Sequence, residues 1–169
     1  MEHLHGRDLS RLRKAVVSRD GSVPIAFAVS VVADVCRALS YAHGRTDADG
    51  NALGLVHRDV SPHNVVVTFA GEVKLVDFGI ARLMLEPQGE SSTDIGAGKY
   101  AYMSPEQAHG AHLDHRSDIY SAGIVLWELL AGHRLFQDKD PNEKLRRVRE
   151  SIVPHPNESG AHIDDALWA

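Results

Sequence analysis

His57, Arg58 and Asp59 stand together, Asn64 follows the aspartate by five positions, and Asp77-Phe78-Gly79 comes after two short apolar runs. Two carboxylates and an amide are the side chains that can face a hydroxyl or hold a hard cation through oxygen. Phosphoryl transfer needs such a set: a carboxylate turned to the attacking hydroxyl and two oxygen ligands for magnesium, close together on rigid backbone. With a free pKa of about 3.9, Asp59 is ionised at neutral pH and weakly basic. A carboxylate of that kind, if turned to a hydroxyl, acts by positioning rather than by early proton removal.

The elements that must hold these residues are legible around them. Val65 to Phe69 and Glu72 to Val76 are rich in β-branched residues and are joined by Ala70-Gly71, which predicts a hairpin with a two-residue turn. That hairpin sets Asn64 before its first strand and Asp77 after its second, so both side chains emerge at the same end. Upstream, Asp8 is placed to cap a short helix carrying Leu9, Leu12 and Val16 on one face. Pro24 to His43 predicts the longest helix, with Pro24 in its first turn; Ser30, Asp34 and Arg37 form a polar stripe and Ile25, Val29, Val32, Val35 and Leu39 the apolar remainder. Arg45 to Gly54 is a turn-rich loop; its Asp47, Asp49 and Asn51 lack the glutamate at the twelfth position of a calcium loop, where Arg58 stands.

Downstream, Glu86 to Gly89 and Ser91 to Thr93 are polar and rich in helix breakers, and predict a mobile loop. Ser104-Pro105-Glu106-Gln107 combines an N-cap, a proline at the first helical position and a capping-box glutamine. Ser117 to Ala131 predicts an apolar helix with Ile119, Gly123, Leu126 and Leu130 near one face, closed by Gly132. Asp140-Pro141 opens an amphipathic helix with Leu145, Val148 and Ile152 in register and Glu143 opposite Arg147. Pro154 and Pro156 end it, and His162 to Ala169 begins another helix.

Composition narrows the class. The 169 residues suit one domain, and 43% hydrophobic with 24% charged content can bury a core. A net charge of −5 with dispersed basic residues, apart from Arg146, Arg147 and Arg149, does not indicate a nucleic-acid surface. Cys36 is single, which excludes an internal disulfide and fits a reducing compartment. There is no run of roughly 18 uninterrupted apolar residues and no signal-peptide pattern, so no membrane segment and a cytoplasmic location are expected. The histidines are scattered without a cysteine cluster or a zincin motif, and a structural zinc site is not indicated.

His57-Arg58-Asp59 with Asn64, then Asp77-Phe78-Gly79, then Ser104-Pro105-Glu106, resembles the catalytic loop, metal loop and following motif of eukaryotic-type protein kinases, most of all bacterial serine/threonine kinases. The resemblance implies a mainly α (α+β) fold, the helical large lobe of a kinase with a small β-hairpin at the active site. Residues 1–7 then resemble the hinge, where Glu2 and Leu4 would bind adenine, and residues 8–169 the large lobe, truncated at its C-terminal end, with the small N-terminal lobe missing. Asp59 is implied as the catalytic carboxylate, Asn64 and Asp77 as magnesium ligands, Val66 as the floor under adenine and Asp8 as a ribose contact or a plain N-cap. ATP and Mg2+ are the implied cofactors and a protein with serine or threonine the implied substrate; tyrosine is disfavoured because the catalytic loop lacks the Ala-Ala-Arg or Arg-Ala-Ala run.

The resemblance also implies that Arg58 pairs with a phosphorylated loop residue, Thr93 first and Ser91 or Ser92 next, and that His57 and Phe78 pack to fix the metal loop. Asp118 is implied to hold the backbone of the catalytic loop. Glu106 is expected to lack its family partner, an arginine that would lie beyond Trp168. Two positions depart from the family. Ser61 stands where serine/threonine kinases usually have the lysine that contacts the transferred phosphate, and Lys99 where they have a threonine bonded to the catalytic aspartate. The hydroxyl and the ammonium have either been exchanged between neighbouring positions or drifted independently. The alternative to an enzyme is a catalytically silent kinase-like interaction module or a split-gene fragment, because the glycine-rich loop and the lysine-glutamate pair that orients the phosphates are missing.

Overall fold

The computed structural model describes residues 4–78, 100–138, 140–159, 161 and 163–164. The stretch from Glu86 to Thr93 and the helix expected from His162 to Ala169 lie wholly or largely outside the described residues.

A strand β1, Gly6–Asp8, leads directly into α1, Leu9–Asp20. Asp8 is the N-cap, its Oδ1 accepting from the Arg11 N–H at 2.9 Å. Next comes α2, Ile25–His43, with Pro24 as its N-cap rather than inside the first turn. Its buried stripe is Ala28, Val31, Val32, Val35, Leu39 and Ala42, whereas Ile25 and Val29, expected inside, are 40% and 37% exposed. A helix apolar over most of its circumference does not fix its own phase; the partner it packs on does. By length and composition α2 also passes as a membrane span, with a mean hydropathy of 1.6 over 18 residues. In the fold its buried face packs on α4, His115–Ala131, and its outer face carries an Arg37–Asp34 ion pair.

The loop after α2 is closed on itself: Asp47 Oδ1 accepts from the N–H groups of Asp49 and Asn51, both at 2.9 Å, and Thr46 pairs with Ala52. The hairpin follows as β2, Val65–Thr68, and β3, Val73–Leu75. Its turn holds three residues, Phe69 to Gly71, instead of the expected two; the Thr68 N–H reaches the Glu72 carbonyl at 2.8 Å and Gly71 takes φ 87°. The hairpin is also not alone. β1 pairs antiparallel with β2, Asp8 opposite Val66, to give the order β1-β2-β3. A Cβ at Gly6 would lie 2.4 Å from the Val67 carbonyl oxygen, so only glycine permits this approach.

After a 3-10 turn at Tyr100–Tyr102 comes the short helix α3, Pro105–Ala108, with the complete capping box between Ser104 and Gln107. α4 starts two residues before the expected point because Asp114 caps it, and it ends at Gly132 with φ 76°. Its inward face is Ser117, Asp118, Ser121, Ala122, Val125 and Leu129; Ile119, expected inside, is 47% exposed. α5, Pro141–Glu150, buries Val148 and half-buries Leu145, while Ile152 lies beyond the helix and is exposed. The expected Glu143–Arg147 pair is replaced: Arg146 reaches both Glu143 and Glu150, and Arg147 reaches Asp138. The core lies between α1, α2, α4 and the inner face of β2, joined by Val60 and Phe136.

Candidate active site

The segment from His57 to Asn64 crosses between the C-terminal end of α2 and the N-terminal turns of α4, and it is held by backbone bonds. Asp118, one turn into α4 and buried, accepts the His57 N–H on Oδ2 and the Arg58 N–H on Oδ1, each at 2.8 Å. The His43 Nε2 lies 2.7 Å from the same Oδ2. On the far side, Gln107 Nε2 donates to the Arg58 carbonyl at 2.9 Å, and the Ser10 N–H of α1 donates to the Pro62 carbonyl at 3.1 Å. Three elements distant in sequence, α1, α3 and α4, thus bond to one short stretch.

Arg58 and Asp77 are two of the few residues other than glycine with positive φ, at 65° and 58°. Such backbone costs about 1–3 kcal/mol per residue and persists where its surroundings over-determine it. Arg58 Nε is buried and finds no acceptor among the described residues. Thr93, Ser91 and Ser92, expected to bring it a phosphate, lie outside the described residues.

His57 is wholly buried, its ring 4.5 Å from that of Phe78. Its Nδ1 accepts the Asp59 N–H at 3.3 Å and its Nε2 faces the Val76 carbonyl at 3.1 Å. A carbonyl only accepts, so the proton sits on Nε2. Burial pushes the His57 pKa below its ordinary value, against the pull of the Val76 carbonyl and of Asp118, Asp59 and Asp77. The neutral imidazole therefore links the aspartate of one loop to the strand that carries the other.

Asn64 Nδ2 donates to the Asp59 carbonyl at 2.8 Å and to Asp59 Oδ2 at 3.0 Å. The Val76 N–H donates to the Asn64 carbonyl at 2.9 Å, which brings Asp77 to the same end of the hairpin. With its nitrogen engaged, Asn64 has its amide oxygen left to offer, and Asp77 presents an exposed carboxylate. A set of hard oxygen donors fits a magnesium ion.

The remaining expected residues fall as follows. Val66 lies opposite Asp8 on β2 and, by strand alternation, on the face away from the core-facing Val65. Leu4 is half-buried next to His5, whose carbonyl accepts the Phe69 N–H. The Asp8 carboxylate is engaged with the backbone and the guanidinium of Arg11. Ser61 is buried, and its carbonyl accepts the Asn64 N–H at 3.0 Å. Glu2 and Lys99 lie outside the described residues. Glu106, expected to lack its family arginine, accepts from the Ser117 hydroxyl on Oε1.

Three contacts were not anticipated from sequence. His43 sits four residues after buried Leu39, so helical spacing alone put it on the inner stripe of α2. Gln107 carries a second bond beyond its capping box. Tyr102 donates to buried Glu128 at 2.8 Å, with Arg13 Nη1 4.0 Å from the same oxygen; burial first, then the Glu128 charge, pushes the Tyr102 pKa up.

The geometry agrees with the sequence comparisons. Residues 1–164 match the protein kinase domain family. The chain is 35% identical over 169 residues to the tyrosine-protein kinase MasK of Myxococcus xanthus, covering 100% of this chain and 26% of that protein. It is 37% identical over 166 residues to the serine/threonine-protein kinase PknB of Mycobacterium leprae, covering 97% and 25%. Against PknB of Mycolicibacterium smegmatis it is 38% identical over 172 residues, covering 100% and 25%. The chain spans about a quarter of the length of these relatives. Helices around a small sheet, with the stretch from His57 to Asn64 between them, are the helical large lobe of a kinase, and the chain belongs to the protein kinase domain family.

Proposed function

We propose that these residues form the large lobe of a serine/threonine protein kinase that transfers the γ-phosphoryl group of Mg-ATP to protein hydroxyls. The observation that carries the reading is the pair of hydrogen bonds from Asn64 Nδ2 to the Asp59 carbonyl and Oδ2, which aims one carboxylate and leaves one amide oxygen to offer in a single arrangement. Asp59 orients the attacking hydroxyl. Asn64 and Asp77 would hold magnesium, which when bound neutralises charge on the phosphates. His57, Phe78 and Asp118 keep the two loops in register, and the outer face of β2 at Val66, with Leu4 and Glu2 before β1, takes the adenine. Names of similar proteins include both serine/threonine and tyrosine kinases, and the catalytic-loop sequence favours the former. A cytoplasmic site of action fits the ATP requirement.

The 169 residues contain no glycine-rich loop and no lysine-glutamate pair for the phosphates, so transfer requires a small strand-rich lobe in addition to them. The test is a two-lobed protein containing these residues, assayed with radiolabelled ATP on serine, threonine and tyrosine peptides. Transfer to serine or threonine that is lost in Asp59→Asn supports the reading. Transfer confined to tyrosine, or equal transfer by the Asp59→Asn protein, overturns it. Nucleotide-free binding of protein partners with no transfer would favour the silent interaction module.

A further inference from the structure

A hollow of about 330 Å³ opens between the segment that follows α4 and the end of α5, with Trp127, His133, Leu135, Phe136, Ile152 and Pro154 in its lining. Its inner polar groups are already engaged. Trp127 Nε1 donates to the Pro154 carbonyl at 2.8 Å, and Gln137 Nε2 donates to the Arg134 carbonyl at 2.6 Å and to His133 Nδ1 at 2.9 Å. The His133 ring stands edge-on to Trp127 at 5.2 Å. What the hollow offers a ligand is therefore mainly apolar and aromatic surface, to which Ile152, 71% exposed, adds a free side chain.

Charged groups in the lining offer the opposite chemistry. The Arg134 guanidinium makes no hydrogen bond among the described residues. Arg147 uses one N–H on Asp138 at 3.1 Å, which leaves most of its five donors available and neutralises the one carboxylate of the lining. Nearby, Glu143 and Glu150 are both taken by Arg146. Residues 133–152 carry six lysines and arginines against four aspartates and glutamates, in a chain of net charge −5. This face is thus a positive patch on an acidic molecule, and its unused guanidiniums fit carboxylates.

We propose that the hollow is a docking site for a short acidic segment of a partner protein, with one aromatic or large aliphatic side chain seated against Leu135, Ile152 and Pro154 and flanking carboxylates held by Arg134 and Arg147. α5 packs on the turn at Tyr100–Tyr102 and on α3, and Arg149 Nε donates to the Ala108 carbonyl at 2.8 Å. A segment docked here therefore rests on the helix that braces α3, whose Gln107 bonds to the Arg58 peptide. The inference goes beyond the transfer reading and stands without it, since docking needs no transfer.

The experiment uses the full-length kinase and fluorescein-labelled peptides of about ten residues made of aspartate, glutamate and serine. One carries a central phenylalanine, a second has serine in its place, and a third keeps the phenylalanine but has lysine for every acidic residue. By fluorescence anisotropy the first should bind about 10-fold or more tighter than either control, and its affinity should fall as salt rises from about 0.05 to 0.3 M. Arg147→Glu should weaken it by about 10-fold, and Arg134→Glu with Arg147→Glu by more, whereas Arg147→Lys, which keeps the charge, should stay within about three-fold. The doubly reversed protein should favour the lysine peptide, a swap that a merely structural role of the arginines does not produce.

Equal affinity for the phenylalanine and serine peptides, or unchanged binding in Arg147→Glu, overturns the proposal. Self-association of the kinase that Arg147→Glu abolishes, or flotation with phosphatidylserine vesicles without peptide binding, assigns the face to a second copy or to a membrane and overturns it as well. If neither reversed protein folds, the three peptides compared on the parent decide. Binding is read without ATP, so a parent that transfers no phosphate would sink the transfer reading and leave this measurement intact.

Discussion

The Asn64 amide nitrogen donates to two oxygens of Asp59 at once, the backbone carbonyl at 2.8 Å and Oδ2 at 3.0 Å. The side chain expected to face the metal is therefore also the one that aims the Asp59 carboxylate, the proposed catalytic group. Asn64→Asp keeps an oxygen ligand but removes both donors and sets a second carboxylate against the first, which raises the pKa of one of them. In a two-lobed protein, transfer should fall by about 100-fold while Mg-ATP affinity changes little. Titration calorimetry together with steady-state kinetics checks it, and an active Asn64→Asp protein would mean that Nδ2 is not what orients Asp59.

Asp59 and Asp77 carry different duties on the proposed reading, one toward the hydroxyl and one toward the cation. Asp59→Asn should abolish transfer with nucleotide binding nearly unchanged, whereas Asp77→Asn should also weaken magnesium-dependent binding. Equal loss of nucleotide affinity in the two proteins contradicts the division.

The buried His57 makes the site sensitive to acid. Its folded-state pKa lies below the unfolded value of about 6.5, so its contribution to stability is complete above that value and is lost as pH falls through the folded pKa. His57→Phe removes the titration along with the bond to Val76. Its melting temperature should start lower at pH 7 and then fall less steeply than that of the parent between pH 7 and 5. Parallel melting curves against pH would show that other groups govern the acid limb.

Gly6 sits where a Cβ would meet the Val67 carbonyl oxygen at 2.4 Å. Backbone cannot yield as the tip of a side chain can, so Gly6→Ala should push β1 off β2 at a cost of about 1–3 kcal/mol. Urea unfolding measures this. A neutral substitution would place β1 outside the stable sheet.

Ser61 and Lys99 give a prediction from sequence alone, since Lys99 lies outside the described residues. If the ammonium has been exchanged between the two positions, Lys99→Ala should lower kcat by about one to two orders of magnitude, and Ser61→Lys with Lys99→Thr should recover much of it. Residues that share a partner are non-additive by about 0.5–3 kcal/mol. Independent effects of the two changes, or full activity of Lys99→Ala, would mark the pair as drift.

What sequence carried and what it did not divide along a physical line. Local chemistry was legible: the Asp8 cap, the Ser104–Gln107 capping box and the β-branched runs of the hairpin each depend on neighbours within four residues or so. The order of His57, Asp59, Asn64 and Asp77 around that hairpin was legible for the same reason. Helix phase was not. α2 and α4 are apolar on most sides, and only their mutual packing decides that Ile25, Val29 and Ile119 turn outward. The third strand was missed because Gly6–Asp8 has no β-branched residue, and its pairing partner lies some 60 positions away. Bonds that span the chain, from Gln107 to Arg58 or from Ser117 to Glu106, leave no local pattern to read.

Gln107 illustrates what such a bond does. Its Oε1 accepts the Ser104 N–H at 3.0 Å to start α3, and its Nε2 grips the Arg58 carbonyl at 2.9 Å. One planar amide thus joins the first turn of α3 to the peptide before Asp59, so a displacement of the Gln107 side chain strains both bonds. Linkage of this kind is reciprocal: a ligand that prefers one arrangement of the α3 turn changes the free energy of the Arg58 peptide by the same amount that occupancy of the catalytic stretch changes the ligand's affinity. A spectroscopic label near Gln107 would therefore register events at both places, and a docking partner on α3 would have a direct lever on the Arg58 peptide.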